Sequence, residues 1–187
     1  QTPNPINIID YIFCIPITQN KLNKPTNMSI KVAIRVRPFS QREVELGTKC
    51  CVDMQDNKTI ITSKEGKKRD FNFDHCFWSF DGYHELPDGL LVPTSQRYAD
   101  QKFVYNQVGK EILENAWKGY HCCLFAYGQT GSGKSYSIFG YGANKGIVPM
   151  VAEEIFARIT KTQSEKCIYE VSFSMMEIYN EKIQDLI

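Results

Sequence analysis

Net charge is almost absent from this sequence: 22 basic and 21 acidic residues leave a formal +1. No overall field therefore favours nucleic acid or an anionic membrane, and an acidic partner would have to be held by a local patch. Long apolar runs are missing too. None reaches the roughly 18 residues that span a bilayer, and no stretch has the layout of a secretory signal, so a soluble chain without direct membrane insertion is expected. The seven cysteines (14, 50, 51, 76, 122, 123 and 167) include no Cys-x-x-Cys, and two pairs are directly adjacent. That suits neither a zinc site nor a disulfide framework, and reads as reduced thiols in a cytosolic protein. His75, Cys76 and His84 likewise lack metal-ligand spacing.

With 187 residues and 42% hydrophobic content, the chain can bury one sizeable core. Its organising stretch is Gly128-Gln129-Thr130-Gly131-Ser132-Gly133-Lys134-Ser135, a complete G-x-x-x-x-G-K-S phosphate-binding loop. The apolar run Cys122-Cys123-Leu124-Phe125-Ala126-Tyr127 before it reads as a buried strand, and Lys134 and Ser135 can open a helix behind it. In that setting glycines let successive backbone N–H groups turn inward around an oxyanion, and the helix dipole adds to the attraction. Lys134 offers a flexible positive charge to the β and γ phosphates, and the Ser135 hydroxyl is suited to ligate Mg²⁺.

Residues 1–27 are rich in Asn, Ile, Thr and Pro and have few charges. They read as a disordered leader, or as an extension upstream of a natural start at Met28; an extra strand within Ile6 to Ile17 is the alternative. From Ile30 the pattern changes: Ile30, Val32, Ile34 and Val36 alternate with Lys31, Ala33, Arg35 and Arg37, predicting a strand ended by Pro38. Residues 49–75 hold short apolar patches between turn signals and predict an antiparallel hairpin unit, with Lys64, Lys67, Lys68 and Arg69 at a solvated tip. Asp81-Gly82 and Pro87-Asp88-Gly89 mark a surface loop up to Thr94. Phe103, Val104, Val108, Ile112, Leu113, Ala116 and Trp117 then recur at helical spacing, with Gly119 as the stop. Three glycines interrupt the chain between Phe139 and Gly146, and a second helix carries Val151, Ile155 and Ile159 on one face. Tyr169, Val171, Phe173 and Met175 alternate with polar residues and predict a last strand. The order strand, helix, strand, loop, helix is that of an α/β sheet with crossovers.

Four segments in this order resemble kinesin motor domains: Arg35-Val36-Arg37-Pro38, Leu124 through Ser135, Gly146-Ile147-Val148-Pro149 and Glu177-Ile178-Tyr179-Asn180-Glu181. Val92-Pro93-Thr94-Ser95, Tyr98-Ala99-Asp100-Gln101 and Asn115 through Tyr120 look most like the third, vesicle-transporting kinesin class. The resemblance implies a phosphate-loop NTPase fold with a mixed central β-sheet flanked by helices, residues 28–187 being the N-terminal part of the motor domain. It implies ATP or ADP with Mg²⁺ in a site of Arg35, Pro38, Gly128 through Ser135 and Tyr136. Arg35 and Pro38 would border adenine and ribose, and Tyr136 would pack on the base from the other side. It further implies ATP hydrolysis coupled to movement along microtubules, in the cytoplasm and on the cytoskeleton.

Two family segments, an Asn-x-x-Ser-Ser-Arg loop and an Asp-Leu-Ala-Gly-Ser-Glu loop, do not occur in these 187 residues. Phosphoryl transfer needs a held water and neutralised charge, so the resemblance implies that these residues alone do not turn over ATP and that microtubule contact lies mostly beyond residue 187. The competing readings are a non-catalytic nucleotide-binding or interaction module, and an unrelated phosphate-loop ATPase or kinase.

Overall fold

The computed structural model describes residues 9–17, as backbone, and residues 30–187. The remainder of the expected leader lies outside the described residues. Two compact units are present, residues 1–153 and 154–187.

The first unit is built on β2 (Lys31–Val36), which is buried along most of its length. Its alternating side chains feed two cores. Ile34 and Val36 pack with Val52, Met54 and Trp78, while Ala33 joins Phe77, Ala99, Val104, Val108 and Ile147. The first core is closed by an antiparallel sheet of β3 (Val52–Gln55), β4 (Lys58–Thr62) and β5 (Lys68–Asn72), the hairpin unit that the turn signals predict. Its basic tip is exposed, as expected of a solvated turn. Arg97 fastens that sheet by lying 3.7 Å over the Trp78 ring while pairing with Asp53. β6 (His75–Trp78) runs parallel to β2 and extends the central sheet.

Between β2 and the strand that leads into the phosphate loop, β9 (His121–Tyr127), lies β1 (Ile9–Ile17), antiparallel to both. At these nine residues the backbone forms a strand, where the sequence admits a disordered leader or an extra strand. The segment is rich in β-branched and aromatic residues, a composition that favours a pleated, half-buried strand. Pro16, which has no N–H to donate, falls where β1 has run past β2 and pairs only with β9.

The loop expected up to Thr94 contains a small hairpin, β7 (Tyr83–Glu85) with β8 (Leu91–Pro93). The helix expected over 103–117 runs as α2 (Gln101–Val104), a π-helical turn (Tyr105–Gly109) and α3 (Lys110–Trp117). A Cβ on Gly109 would lie 2.4 Å from the Tyr105 ring, so the ring occupies space that only glycine leaves. Gly119, at φ +87°, ends the helix in the left-handed conformation expected of a helix stop. After α4 (Lys134–Ile138) the three-glycine interruption forms a minimal hairpin, β10 (Gly140–Tyr141) with β11 (Asn144–Lys145), before α5 (Ile147–Thr162).

In the second unit the expected strand at 169–175 is not formed. Ladder pairing begins instead at β12 (Met176–Tyr179), which turns back through Asn180 and Glu181 into β13 (Lys182–Asp185). Both turn residues have positive φ, 48° and 62°, which suits a two-residue hairpin. Alternation at 169–175 marks one apolar face, but a strand also needs a ladder to a neighbouring backbone, and among the described residues a single bond, from the Leu186 N–H to the Met175 carbonyl at 3.0 Å, precedes the pairing that starts at Met176.

Because β1 alone hydrogen-bonds both β2 and β9, removing residues 1–27 is expected to speed amide exchange in Val32–Val36 and Cys122–Tyr127. Hydrogen–deuterium exchange read by mass spectrometry checks this; unchanged protection would show that β1 does not join the two strands.

Candidate nucleotide site

The phosphate loop follows β9 directly and is shaped by its glycines. Gly131 and Gly133 have φ of +80° and +114°, values that other residues rarely adopt, and each turns the chain without side-chain bulk. The helix behind is short, Lys134–Ile138, so its dipole is weaker than the sequence suggests and the loop's own N–H groups carry the anion-binding capacity. Lys134 opens α4 as expected and folds its ammonium back onto the loop, donating to the Gly128 carbonyl at 2.8 Å and the Gln129 carbonyl at 2.9 Å. Gly128 is half-buried, Gln129, Thr130 and Ser135 are exposed, and Ser132 is wholly buried.

Ser132 tests whether the loop fits a phosphate. Its hydroxyl is the one buried side-chain oxygen or nitrogen among the described residues without a hydrogen-bond partner. A buried orphan of this kind costs free energy unless something accepts from it or donates to it. A phosphate oxygen cradled by the loop is such an acceptor. Ser135, exposed on the first turn of α4, leaves its hydroxyl available to a metal ion held against that phosphate.

Arg35 is 3% exposed, and its charge is met by a network drawn from four elements. Its Nε donates to Ser79 Oγ at 2.9 Å, and its Nη1 to Gln101 Oε1 at 2.7 Å and Ser137 Oγ at 3.1 Å. The guanidinium carbon also lies 5.1 Å from the centroid of the Tyr136 ring, within cation–π range. Burial pushes the Tyr136 phenol up, and Arg35 opposes that shift. The structure thus brings Arg35 and Tyr136 together beside α4. Pro38, half-buried at the end of β2, joins the loop through its neighbour Arg37, which donates to the Pro38 carbonyl at 2.6 Å.

Three residues of this site have roles that the motifs do not state: Gln101 and Arg37 lie within matched segments, and Glu43 lies outside them. Gln101 accepts from Arg35 and donates to the carbonyls of Tyr136 at 2.7 Å and Asn144 at 3.2 Å, so it spans α2, α4 and β11. Arg37 donates through Nε to the Gly131 carbonyl at 2.6 Å and through both terminal nitrogens to Glu43, at 2.7 and 2.8 Å. Glu43 is itself the third residue of α1 (Gln41–Glu45) and completes a capping box with Ser40. The spacing Ser40-Gln41-Arg42-Glu43 is the signal that could have found it. The Arg37 guanidinium, with the Ser40 N–H assisting, lowers the Glu43 carboxyl to about 2 against the opposing effect of burial.

Comparison with known proteins places this geometry. Residues 35–187 match the family model described as kinesin motor domain. Kinesin-like protein KIF28 of Rattus norvegicus is 48% identical over 171 residues, covering 89% of this chain and 16% of that protein. Kinesin-like protein KIF13A of Homo sapiens is 42% identical over 170 residues, covering 87% of this chain and 9% of that protein. Among solved structures, KIF14 with ADP in complex with a microtubule superposes with a TM-score of 0.62 at 36% identity, covering 82% of this chain and 40% of that one. A KIF14 dimer with AMP-PNP on a microtubule gives 0.64 at the same identity. The chain therefore spans a small part of these curated relatives and less than half of the solved motor chains.

Two outcomes follow from the buried charges. Replacing Gln101 by Leu leaves Arg35 one acceptor short and two carbonyls without their donor, and is expected to cost about 2–4 kcal/mol in a urea melt. Glu43 titrates with a depressed pKa, so its stabilisation is full above its unfolded value near 4.5 and is lost as pH falls toward about 2. Between those limits Glu43→Gln is expected to flatten the acid loss of stability by on the order of 3 kcal/mol, read from melts at stepped pH.

Proposed function

This chain belongs to the kinesin motor-domain family, and from that premise we propose that it forms the nucleotide-binding part of an ATP-driven microtubule motor. The observation that carries the proposal is the glycine-turned loop between β9 and α4, with the Ser132 hydroxyl buried and unpartnered inside it. ATP and ADP are the ligands. Gly128 through Gly131 would hold the phosphates by backbone N–H groups, Ser132 would meet them through its hydroxyl, and Gly133 supplies the turn into α4. Lys134 would leave the Gly128 and Gln129 carbonyls to follow the terminal phosphate, a swing that its flexible stem allows. Ser135 would hold Mg²⁺, which when bound neutralises charge on the phosphate oxygens.

Tyr136 and Pro38 would hold the base, since their flat faces exclude water at little entropic cost. Arg35 acts at that wall through its stacking on Tyr136 and its bond to Ser137, which fix the ring on α4. Binding is the property that these residues carry. Hydrolysis to ADP and phosphate, and its coupling to movement along microtubules on the cytoskeleton, belong to the longer protein that supplies the two further family loops.

Titration calorimetry of this chain with ADP and Mg²⁺ is expected to show one site. Lys134→Ala is expected to weaken it about a hundredfold, roughly 2.7 kcal/mol. No release of phosphate from ATP is expected in a single-turnover assay of the same chain. Unimpaired ADP affinity in the Lys134 variant would overturn the phosphate-loop reading. A chain that binds ADP and is never competent in any longer form would favour the non-catalytic module.

A further inference from the structure

The loop's geometry rests on glycine, and glycine turns are easily undone. A peptide unit flanked by glycine can flip at little steric cost, which would turn its carbonyl oxygen toward a bound phosphate and repel it. The unit between Gly131 and Ser132 sits at that hazard. It is held at both ends. The Ser132 N–H donates to the Gln129 carbonyl at 3.1 Å, and the Gly131 carbonyl accepts from Arg37 Nε at 2.6 Å. The first of these contacts is local to the loop, whereas the second anchors it to the end of β2.

Arg37 is itself oriented from outside the loop. Both of its terminal nitrogens are committed to the two carboxylate oxygens of Glu43, whose side chain is 4% exposed. Glu43 in turn accepts from the Ser40 N–H at 2.5 Å. A planar guanidinium gripped along one edge presents its remaining Nε–H in a single direction, and that direction is the Gly131 carbonyl. Ser40, Glu43, Arg37 and Gly131 thus form one chain of bonds from the cap of α1 to the phosphate loop.

We propose that Arg37 is a positioning residue of the phosphate loop, holding the Gly131 carbonyl turned away from the phosphates through a guanidinium that Glu43 orients. The inference rests on the nucleotide-binding reading and deepens it. Arg37 makes no contact with the phosphates in this role. It lowers the cost of binding by keeping that carbonyl turned out of the site beforehand. Lysine cannot replace it, because one ammonium cannot keep the bidentate grip on Glu43 and also direct a second, fixed donor at Gly131.

The test measures binding of a fluorescent N-methylanthraniloyl ADP to the unsubstituted chain and to Arg37→Ala, Arg37→Lys and Glu43→Gln, with Lys134→Ala as the control for the site itself. Arg37→Ala and Arg37→Lys are expected to weaken binding by about tenfold or more, and Glu43→Gln by a smaller factor in the same direction. Millimolar guanidinium chloride is expected to restore most of the affinity of Arg37→Ala, and methylammonium chloride to restore none. A merely structural loss would not show that selectivity. Unchanged affinity in Arg37→Ala, full affinity in Arg37→Lys, or equal rescue by both cations would overturn the proposal. Should Arg37→Ala fail to give a cooperative melt, the near-isosteric Glu43→Gln decides: affinity equal to that of the unsubstituted chain would overturn it. If the unsubstituted chain and Lys134→Ala both fail to bind the probe, the nucleotide reading fails and takes this inference with it.

Discussion

A guanidinium buried at 3% exposure must be answered on every side, and in this fold the answer organises the site. Arg35 projects from β2 and draws acceptors from Ser79 beyond β6, Gln101 on α2 and Ser137 on α4. None of these contacts can be dropped cheaply, because the charge has no water to return to. Strand, loop and two helices are therefore fixed relative to one another by a single side chain. The aromatic ring of Tyr136 closes the arrangement, and Gln101 extends it by supporting the Tyr136 and Asn144 carbonyls. What looks like a basic residue at a strand end is an internal bracket.

The same face of β2 holds the phosphate loop a second time. Arg35 and Arg37 are two residues apart, so their side chains leave the strand on one side, one at depth and one near the rim. Arg35 reaches Ser137 and Arg37 reaches the Gly131 carbonyl, so the segment between those two residues is gripped at both ends. This matters because β2 and β9 do not pair directly; β1 lies between them. Backbone pairing sets the spacing of the strands, and the two arginines set the pose of the loop.

The motif and the frame were legible because each depends on local pattern. The period of two along Ile30 to Val36 marks β2, the eight-residue loop marks the turn into α4, and the apolar run before it marks β9, which is partly exposed where a buried strand is expected. The Glu177 to Glu181 segment drew notice as a family match, and its Asn180 and Glu181 are the two residues that turn the hairpin. What stayed hidden depends on partners far away in the chain. Nothing in the spacing of Gln101 announces that it faces Arg35, 66 positions earlier. Composition alone did not decide between a leader and a strand at residues 9–17, since pairing with two distant strands settles it. At 169–175 the reverse holds: good alternation meets no ladder, and one bond from the Leu186 N–H to Met175 is all that precedes the pairing at Met176.

Glu43 shows how a local signal can carry a distant role. As the third residue of a five-residue helix it completes a capping box, and a reader of sequence would stop there. A capping carboxylate, however, has two oxygens and several lone pairs, and the cap leaves acceptor capacity over. Arg37 takes that remainder in a bidentate grip, which depresses the carboxyl to about 2 and keeps it ionised at neutral pH. The cap then does more than end a helix. It supplies a fixed counter-ion for an arginine whose remaining donor meets the phosphate loop, so the stability of a short surface helix and the shape of a nucleotide site are set by the same ion pair.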